Sequence, residues 1–202
     1  MSKVIVTTTI NAPTEALRKF ASMPDWELVV VDDQKTPTDF HIDGAIYGTP
    51  EEQEKYDPEL SQALGWNVVE HRNYGFLWAL DMGAEIVAVV DDDNVPLENW
   101  GEQIFVGGEV EVDYYETDLL PFDPVAVTEH RHLWHRGYPP QLLAERDFGE
   151  PTRKVVKPDV QADFWNGDPD IDAICRMQFK PDVVFDPGSF PLASNKLGPF
   201  NS

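Results

Sequence analysis

A short apolar run that ends in three consecutive aspartates constrains the fold of this chain more than any other feature. Residues 86–90 read Ile-Val-Ala-Val-Val, and Asp91, Asp92 and Asp93 follow directly. An uninterrupted apolar, β-branched run is typical of a strand buried on both faces of a parallel sheet. Ligands of such sheets bind at the carboxyl ends of the strands, where aspartate oxygens suit Mg²⁺ or Mn²⁺. Two interpretations stay open at this point: a metal site, or a solvated acidic turn in a chain rich in acids.

The composition bounds the class of protein. A chain of 202 residues is long enough for one α/β domain, and no apolar run approaches the length that crosses a bilayer. The amino terminus lacks the pattern of a signal peptide, and the single cysteine, Cys175, excludes an internal disulfide, so we expect a cytoplasmic location. With 37 acidic against 15 basic residues, the chain is not expected to bind nucleic acid.

The acid excess also leads to a prediction about salt. Acidic residues cluster at 51–54, 109–118 and 159–172, so the net charge of −22 is spread along the chain. Raising the ionic strength from 0.1 M to 1 M shortens the screening length from about 10 Å to about 3 Å, which weakens repulsion between these carboxylates. We therefore expect the free energy of unfolding, measured by urea titration across a KCl series, to rise with salt. Such a rise would support the hypothesis that the acidic surface is an adaptation to high salt. A free energy of unfolding that does not change with salt would contradict it.

Predicted strands alternate with predicted helices in the first half of the chain. The predicted strands cover Val4–Thr8, Leu28–Val31, Ala45–Tyr47 and residues 86–90, with a strand fragment at Val68–Val69; a cap at Asn11 to Pro13 and the run from Arg72 to Leu80 indicate helices. This order predicts an α/β, Rossmann-like fold with a mostly parallel sheet flanked by helices. In the second half, strand candidates at Val110–Tyr115 and Val125–Thr128 predict a small α+β annex.

Several common enzyme motifs are absent from the sequence. Thr7 to Asn11 stands where a dinucleotide-binding enzyme has its glycine-rich turn, and no P-loop, G-x-S-x-G or H-E-x-x-H motif occurs. These absences disfavour hydride transfer, P-loop ATPase, serine hydrolase and zincin chemistry. If the strands are parallel neighbours, Thr7 to Asn11, Asp32, Asp33 and the three aspartates meet at one edge of the sheet, as in a nucleotide site.

Five blocks of sequence carry a resemblance to a known family. They are Val6–Thr14, Val30–Pro37, Arg72–Gly75 leading to Val90–Asn94, Arg136–Pro139, and Asn166–Ala173 with its Gly-Asp-Pro-Asp-Ile-Asp-Ala run. With these blocks the chain resembles nucleotide-sugar glycosyltransferases of the GT-A type. Within that type it resembles a narrower group, the STELLO glycosyltransferase-like proteins and the reversibly glycosylated polypeptides, which include UDP-arabinopyranose mutases.

The resemblance implies a GT-A fold, a UDP-sugar donor, a glycan or small-molecule acceptor and a Mn²⁺ or Mg²⁺ ion. Residues 1–106 would form the nucleotide-binding half of a single domain, and residues 107–202 the sugar and acceptor half. The implied ligands of the metal are Asp91, Asp93 and His135. The implied donor contacts are Asp92 on ribose or sugar, Thr8, Thr9, Asn11 and Asp32 around base and ribose, and Arg72 and Asn73 on uracil or diphosphate.

The implied catalytic residues lie in the second half. Asp168 or Asp170 would act as general base or grip sugar hydroxyls, although Asp168 could instead be a helix N-cap, and Arg136 would contact sugar or diphosphate. Leu143 stands where the reversibly glycosylated group has a second arginine, which disfavours mutase chemistry. A mutase and a non-catalytic donor-binding domain remain the alternatives. Residues 198–202 resemble the point at which the STELLO domain continues, so a shortened chain is also expected, while the oligomeric state is not predicted.

Overall fold

The computed structural model describes residues 1–188 and 190–196. The chain divides into two compact units, Met1–Gln103 and a second unit that begins at Ile104, and each is described by itself. The resemblance at residues 198–202 lies outside the described residues. That all 202 residues form one domain stays a prediction.

The first unit is built on a parallel sheet of four strands. Its elements in chain order are β1 (Lys3–Thr9), α1 (Glu15–Ala21), β2 (Glu27–Asp32), β3 (Ala45–Gly48), α2 (Pro50–Tyr56), α3 (Pro58–Leu64), α4 (Arg72–Asp81) and β4 (Ile86–Val89). The strands lie in the order β3-β2-β1-β4, and every neighbouring pair is parallel. Parallel neighbours require crossover connections. Helix α1 lies in the connection from β1 to β2 and helices α2 to α4 in that from β3 to β4, whereas residues 33–44, which join β2 to β3, contain no helix. The predicted α/β, GT-A-like fold is confirmed.

Side chains of the central strands alternate between two apolar layers, because successive residues of a strand point to opposite faces. On one face Val4 and Val6 of β1 pack with Tyr74 of α4. On the other face Ile5 packs with Phe20 of α1. Helix α4 lies so close to β1 that a Cβ atom at Gly75 would be 2.3 Å from a methyl carbon of Val6, so a larger residue there would displace the helix.

The second unit contains a smaller mixed sheet. Its elements are β5 (Val110–Tyr115), β6 (Thr152–Val156), α5 (Ala173–Phe179) and β7 (Leu192–Ser194). Strand β5 lies in the middle, antiparallel to β6 and parallel to β7. A separate core packs Leu133, Ile171 and the buried Cys175. The predicted small α+β part of the second half is thus confirmed.

Two predicted strands are wrong. Residues 68–69 do not form a strand, since a 3₁₀ helix covers Val69–His71 and runs directly into α4. The strand predicted at Val125–Thr128 is a 3₁₀ helix, Pro124–Val127, because Pro124 favours a first helical turn and Asp123 caps it.

Within the described residues, no helix is long and apolar enough to cross a membrane.

Candidate functional site

The carboxyl ends of β1, β2 and β4 bring the strand-end residues of the first unit together. Thr9 of β1 is in register with Asp32 of β2, and β4 pairs with the other side of β1 just before Asp91. A hydrogen bond from the Thr9 hydroxyl to the Asp92 carboxylate joins the segments that follow β1 and β4. The predicted strand-end groups therefore lie at one edge of one sheet.

The acidic turn, Asp91 to Asp93, is held by side chains from other segments. The Asp91 carboxylate accepts a hydrogen bond from Nη2 of Arg72 at 2.8 Å. One carboxylate oxygen of Asp92 accepts from both the Thr9 hydroxyl and the side-chain amide of Asn11, the latter at 2.9 Å. Asp93 is exposed. Two of the three carboxylates are thus bound by the protein, which a merely solvated turn would not require.

Two charged side chains at this edge are buried and have polar atoms that lack a hydrogen-bond partner. Asp32 is 9% exposed and Arg72 is 6% exposed. Among the described residues, Oδ1 of Asp32 and both Nε and Nη1 of Arg72 lack a hydrogen-bond partner. Burial, and after it the negative charge of Glu52, raises the pKa of Asp32 to about 6. Buried polar groups are nearly always satisfied in folded proteins, so a missing ligand is a natural explanation for these atoms.

A buried polar network, which the sequence did not predict, lies behind Asp32. The side-chain amide of Gln53 donates to the carbonyl oxygens of Asp32, at 2.6 Å, and Gly48, at 2.7 Å. The Gln53 carbonyl oxygen bonds to the ring of His71, which also bonds to the carbonyl of Gly65. Gln53 could have been noticed as the one uncharged residue in the run 51–55, which suggests a position facing inward.

Thr8 and Asn73 complete the predicted set of the first unit. Thr8 is half-buried near the end of β1, and Asn73 is exposed in the first turn of α4. Both therefore lie at or next to the carboxyl edge. Neither side chain makes a contact with the acidic turn that would fix its role.

The acidic turn fits a metal ion that is shared with a ligand. The described residues contain no group of three or more histidine, cysteine, aspartate or glutamate side chains that could enclose a metal. Magnesium bound with a nucleotide needs only one or two carboxylates, because phosphate oxygens and water fill the remaining positions. The exposed Asp93, with Asp91 beside it, meets that requirement.

The remaining predicted residues lie in the second unit. Nε of Arg136 is 3.0 Å from a carboxylate oxygen of Asp170, and the Arg136 main-chain N–H donates to the Asp170 carbonyl at 3.1 Å. Nδ1 of His135 is 2.7 Å from the Arg136 carbonyl oxygen. A carbonyl can only accept, so Nδ1 carries the proton and Nε2 is the nitrogen that could bind a metal. Arg136, Asp170 and His135 thus form one cluster within this unit.

Asp168 is not the N-cap of the following helix. Its carboxylate pairs with Nε of Arg176 at 3.0 Å, whereas Asp172 caps α5 by accepting from the main-chain N–H of Ile174 at 2.8 Å. Pro169, which follows Asp168, lies outside the helix. The N-cap alternative for Asp168 is therefore wrong.

Comparison with known proteins supports the resemblance to the STELLO group. No family model matches the chain. Two proteins of Arabidopsis thaliana align over 219 positions that cover 99% of the chain: “Probable glycosyltransferase STELLO2”, 24% identical, and “Probable glycosyltransferase STELLO1”, 23% identical. The aligned region is 29% and 28% of those two proteins, so the chain spans less than a third of their length. The chain is similar to glycosyltransferases of the STELLO type along nearly all of its sequence.

Proposed function

We propose that this chain is a glycosyltransferase that takes its sugar from a UDP-sugar and uses Mn²⁺ or Mg²⁺. One observation carries the proposal: Asp32 and Arg72, two buried charged side chains with unpartnered polar atoms, lie at the sheet edge that also bears the acidic turn. The similarity to proteins named as glycosyltransferases supports the same conclusion.

The two buried charges suit a uracil ring. Uracil presents an N–H donor between two carbonyl acceptors, so a carboxylate can accept from the ring nitrogen while a guanidinium donates to a carbonyl oxygen. Asp32 supplies the acceptor and Arg72 the donors. Cytosine has an acceptor at the ring nitrogen and a donor amine in place of one carbonyl, which would leave these buried groups mismatched. Thr8 and Asn73 are proposed contacts of the ribose and the diphosphate.

Asp93 and Asp91 are the proposed protein ligands of the metal. When bound, Mn²⁺ or Mg²⁺ would neutralise charge on the departing nucleotide diphosphate. Arg72 keeps Asp91 at the edge of the sheet through their 2.8 Å ion pair. That His135 binds a metal stays a prediction.

The acceptor chemistry is assigned to the second unit. Asp170 or Asp168 would take the proton of an acceptor hydroxyl as that oxygen attacks the anomeric carbon, or would bind sugar hydroxyls. Arg136, which is exposed and paired with Asp170, would contact the sugar or the diphosphate. Leu143 packs against the apolar core of this unit, so the position of the second arginine in the mutase group carries no charge here.

Calorimetric titration of UDP in the presence of Mn²⁺ tests the donor site. We expect binding that depends on Mn²⁺ and is weakened by roughly 10-fold to 100-fold, or lost, when Asp93→Ala removes the exposed carboxylate. Asp25→Ala is the matched control, because Asp25 is an exposed acid that precedes the opposite end of β2.

The proposal fails if UDP does not bind, or if both variants bind UDP as the unchanged chain does. Incubation with UDP-sugars then separates the activities: release of UDP with a glycosylated acceptor indicates transfer. Interconversion of UDP-arabinopyranose and its furanose form, seen by chromatography, would indicate a mutase instead.

A further inference from the structure

Three threonine hydroxyls at the carboxyl edge share one pattern of hydrogen bonds. Each accepts a bond from a main-chain N–H two or three residues away and donates one to a different segment. We call Thr9, Thr14 and Thr36 the threonine bracket. A hydroxyl can accept and donate at once, so each threonine uses its single donor and one of its two acceptor positions.

Two members of the bracket hold the middle residue of the acidic turn. The Thr9 hydroxyl accepts from the N–H of Asn11 at 3.0 Å and donates to the Asp92 carboxylate. The Thr14 hydroxyl accepts from the N–H of Leu17 at 3.2 Å, which caps α1, and donates to the Asp92 carbonyl oxygen. Asp92 is therefore fixed at both its side chain and its main chain.

The third member braces the loop behind them. The Thr36 hydroxyl accepts from the N–H of Asp33 at 2.8 Å and donates to the Thr9 carbonyl at 2.6 Å. The segments that follow β1, β2 and β4 are thus linked in series, from Thr36 to Thr9 and from Thr9 to Asp92.

We propose that Thr14 is a positioning residue for the acidic turn and that Asp92 is its anchor within the protein, not a contact of ribose or sugar. Three neighbouring carboxylates repel one another, so a turn that carries them keeps one geometry only if other groups hold it. Hydrogen bonds to both the side chain and the main chain of Asp92 fix the backbone of the turn, and with it the orientation of the Asp91 and Asp93 side chains. This inference rests on the proposed function for its ligand but not for its geometry.

Three variants separate this role from the capping of α1. Thr14→Val keeps the shape of the side chain and removes both hydrogen bonds, whereas Thr14→Ser keeps both. Ala16→Gly weakens α1 through its lower helix propensity and the loss of one buried methyl group, without a change of charge, and leaves the Thr14 hydroxyl in place. It is the matched control for destabilisation of the helix.

Hydrogen–deuterium exchange and UDP titration with Mn²⁺ provide two readouts. We expect Thr14→Val to speed exchange in the peptide that covers residues 88–95 and to weaken UDP binding about tenfold. Thr14→Ser should keep the exchange rate and the UDP affinity of the unchanged chain. Ala16→Gly should lower the melting temperature but leave exchange in residues 88–95 and the affinity for UDP unchanged.

Exchange in residues 88–95 that is the same in Thr14→Val and the unchanged chain would overturn the positioning role. So would equal effects of Thr14→Val and Ala16→Gly. If the unchanged chain does not bind UDP with Mn²⁺, the proposed function fails, while the exchange measurement still decides whether Thr14 positions the turn.

Discussion

Replacing Arg146 by methionine is expected to lower the free energy of unfolding of the second unit by about 3–5 kcal/mol. Methionine fills much of the same space without a charge, so the loss would come from the groups that Arg146 now satisfies. Removing one partner of a buried ion pair leaves the other charge without compensation, and that is the source of the large effect.

The contacts of Arg146 explain this expectation. Nη1 donates to the Asp123 carboxylate at 2.6 Å and to the Leu133 carbonyl at 2.7 Å, and Nη2 donates to the Arg131 carbonyl at 2.9 Å. The side chain of Asp123 has no exposed surface. Burial raises the pKa of Asp123, while the hydrogen bond and the positive charge of Arg146 oppose that rise. The variant would leave three acceptors without their donor.

Urea titration followed by circular dichroism and tryptophan fluorescence would measure the loss. Arg153→Met is the matched control, since Arg153 pairs with Asp113 at 3.3 Å but its side chain remains 47% exposed. The Arg153 guanidinium also lies over the ring of Phe190. Exposed pairs contribute at most about 1 kcal/mol. Equal losses in the two variants would show that burial of the Asp123 pair does not stabilise this unit.

The strands of the first sheet could be predicted from the sequence because their signal is local. Val4–Thr8 and Leu28–Val31 are short runs rich in β-branched residues, and the structure extends each by one residue at each end. A parallel order then follows from the alternation of strands and helices. The meeting of Asp32 with the acidic turn is a consequence of that order.

The partners of individual side chains could not be predicted in the same way. Arg146 and Asp123 are 23 residues apart, and Thr14 and Asp92 are 78 apart. No period or motif connects such positions, because their contact depends on how loops pack after the sheet has formed. The sequence also places three identical side chains in a row, and it does not reveal that Asp91 pairs with Arg72, that Asp92 bonds to Thr9, and that of the three only Asp93 is exposed.

The acidic residue at the end of β2 leads to a second prediction, in which stability and binding change in opposite directions. We expect Asp32→Asn to raise the free energy of unfolding at pH 7.5 by about 3 kcal/mol, because a rise in pKa from 3.8 to about 6 at 1.36 kcal/mol per unit corresponds to that amount. The physical cause is the burial of an ionised carboxylate whose Oδ1 has no partner.

The sign of the pH dependence follows from the raised pKa of Asp32. Above about pH 6 the folded chain holds Asp32 ionised at a cost, and below pH 3.8 the carboxyl is protonated in both the folded and the unfolded chain, so the cost disappears. The gain in the free energy of unfolding from Asp32→Asn should therefore be full above about pH 6, fall as the pH is lowered from about 6 to 3.8, and vanish below pH 3.8. Urea titrations at a series of pH values would measure it. A gain that does not change with pH would contradict ionisation as its cause.

A site built for a ligand predicts that the more stable variant binds less well. Bound uracil would donate its ring N–H to the Asp32 carboxylate and so supply the partner that Oδ1 lacks in the chain by itself. Asparagine can present an oxygen to the same N–H but without the charge, so UDP affinity should fall about tenfold at pH 7.5. If Asp32→Asn stabilises the chain and leaves the affinity for UDP unchanged, the buried charge does not serve the base. A gain in stability together with a loss of affinity would mean that the fold retains an unfavourable charge at Asp32 because the nucleotide needs it.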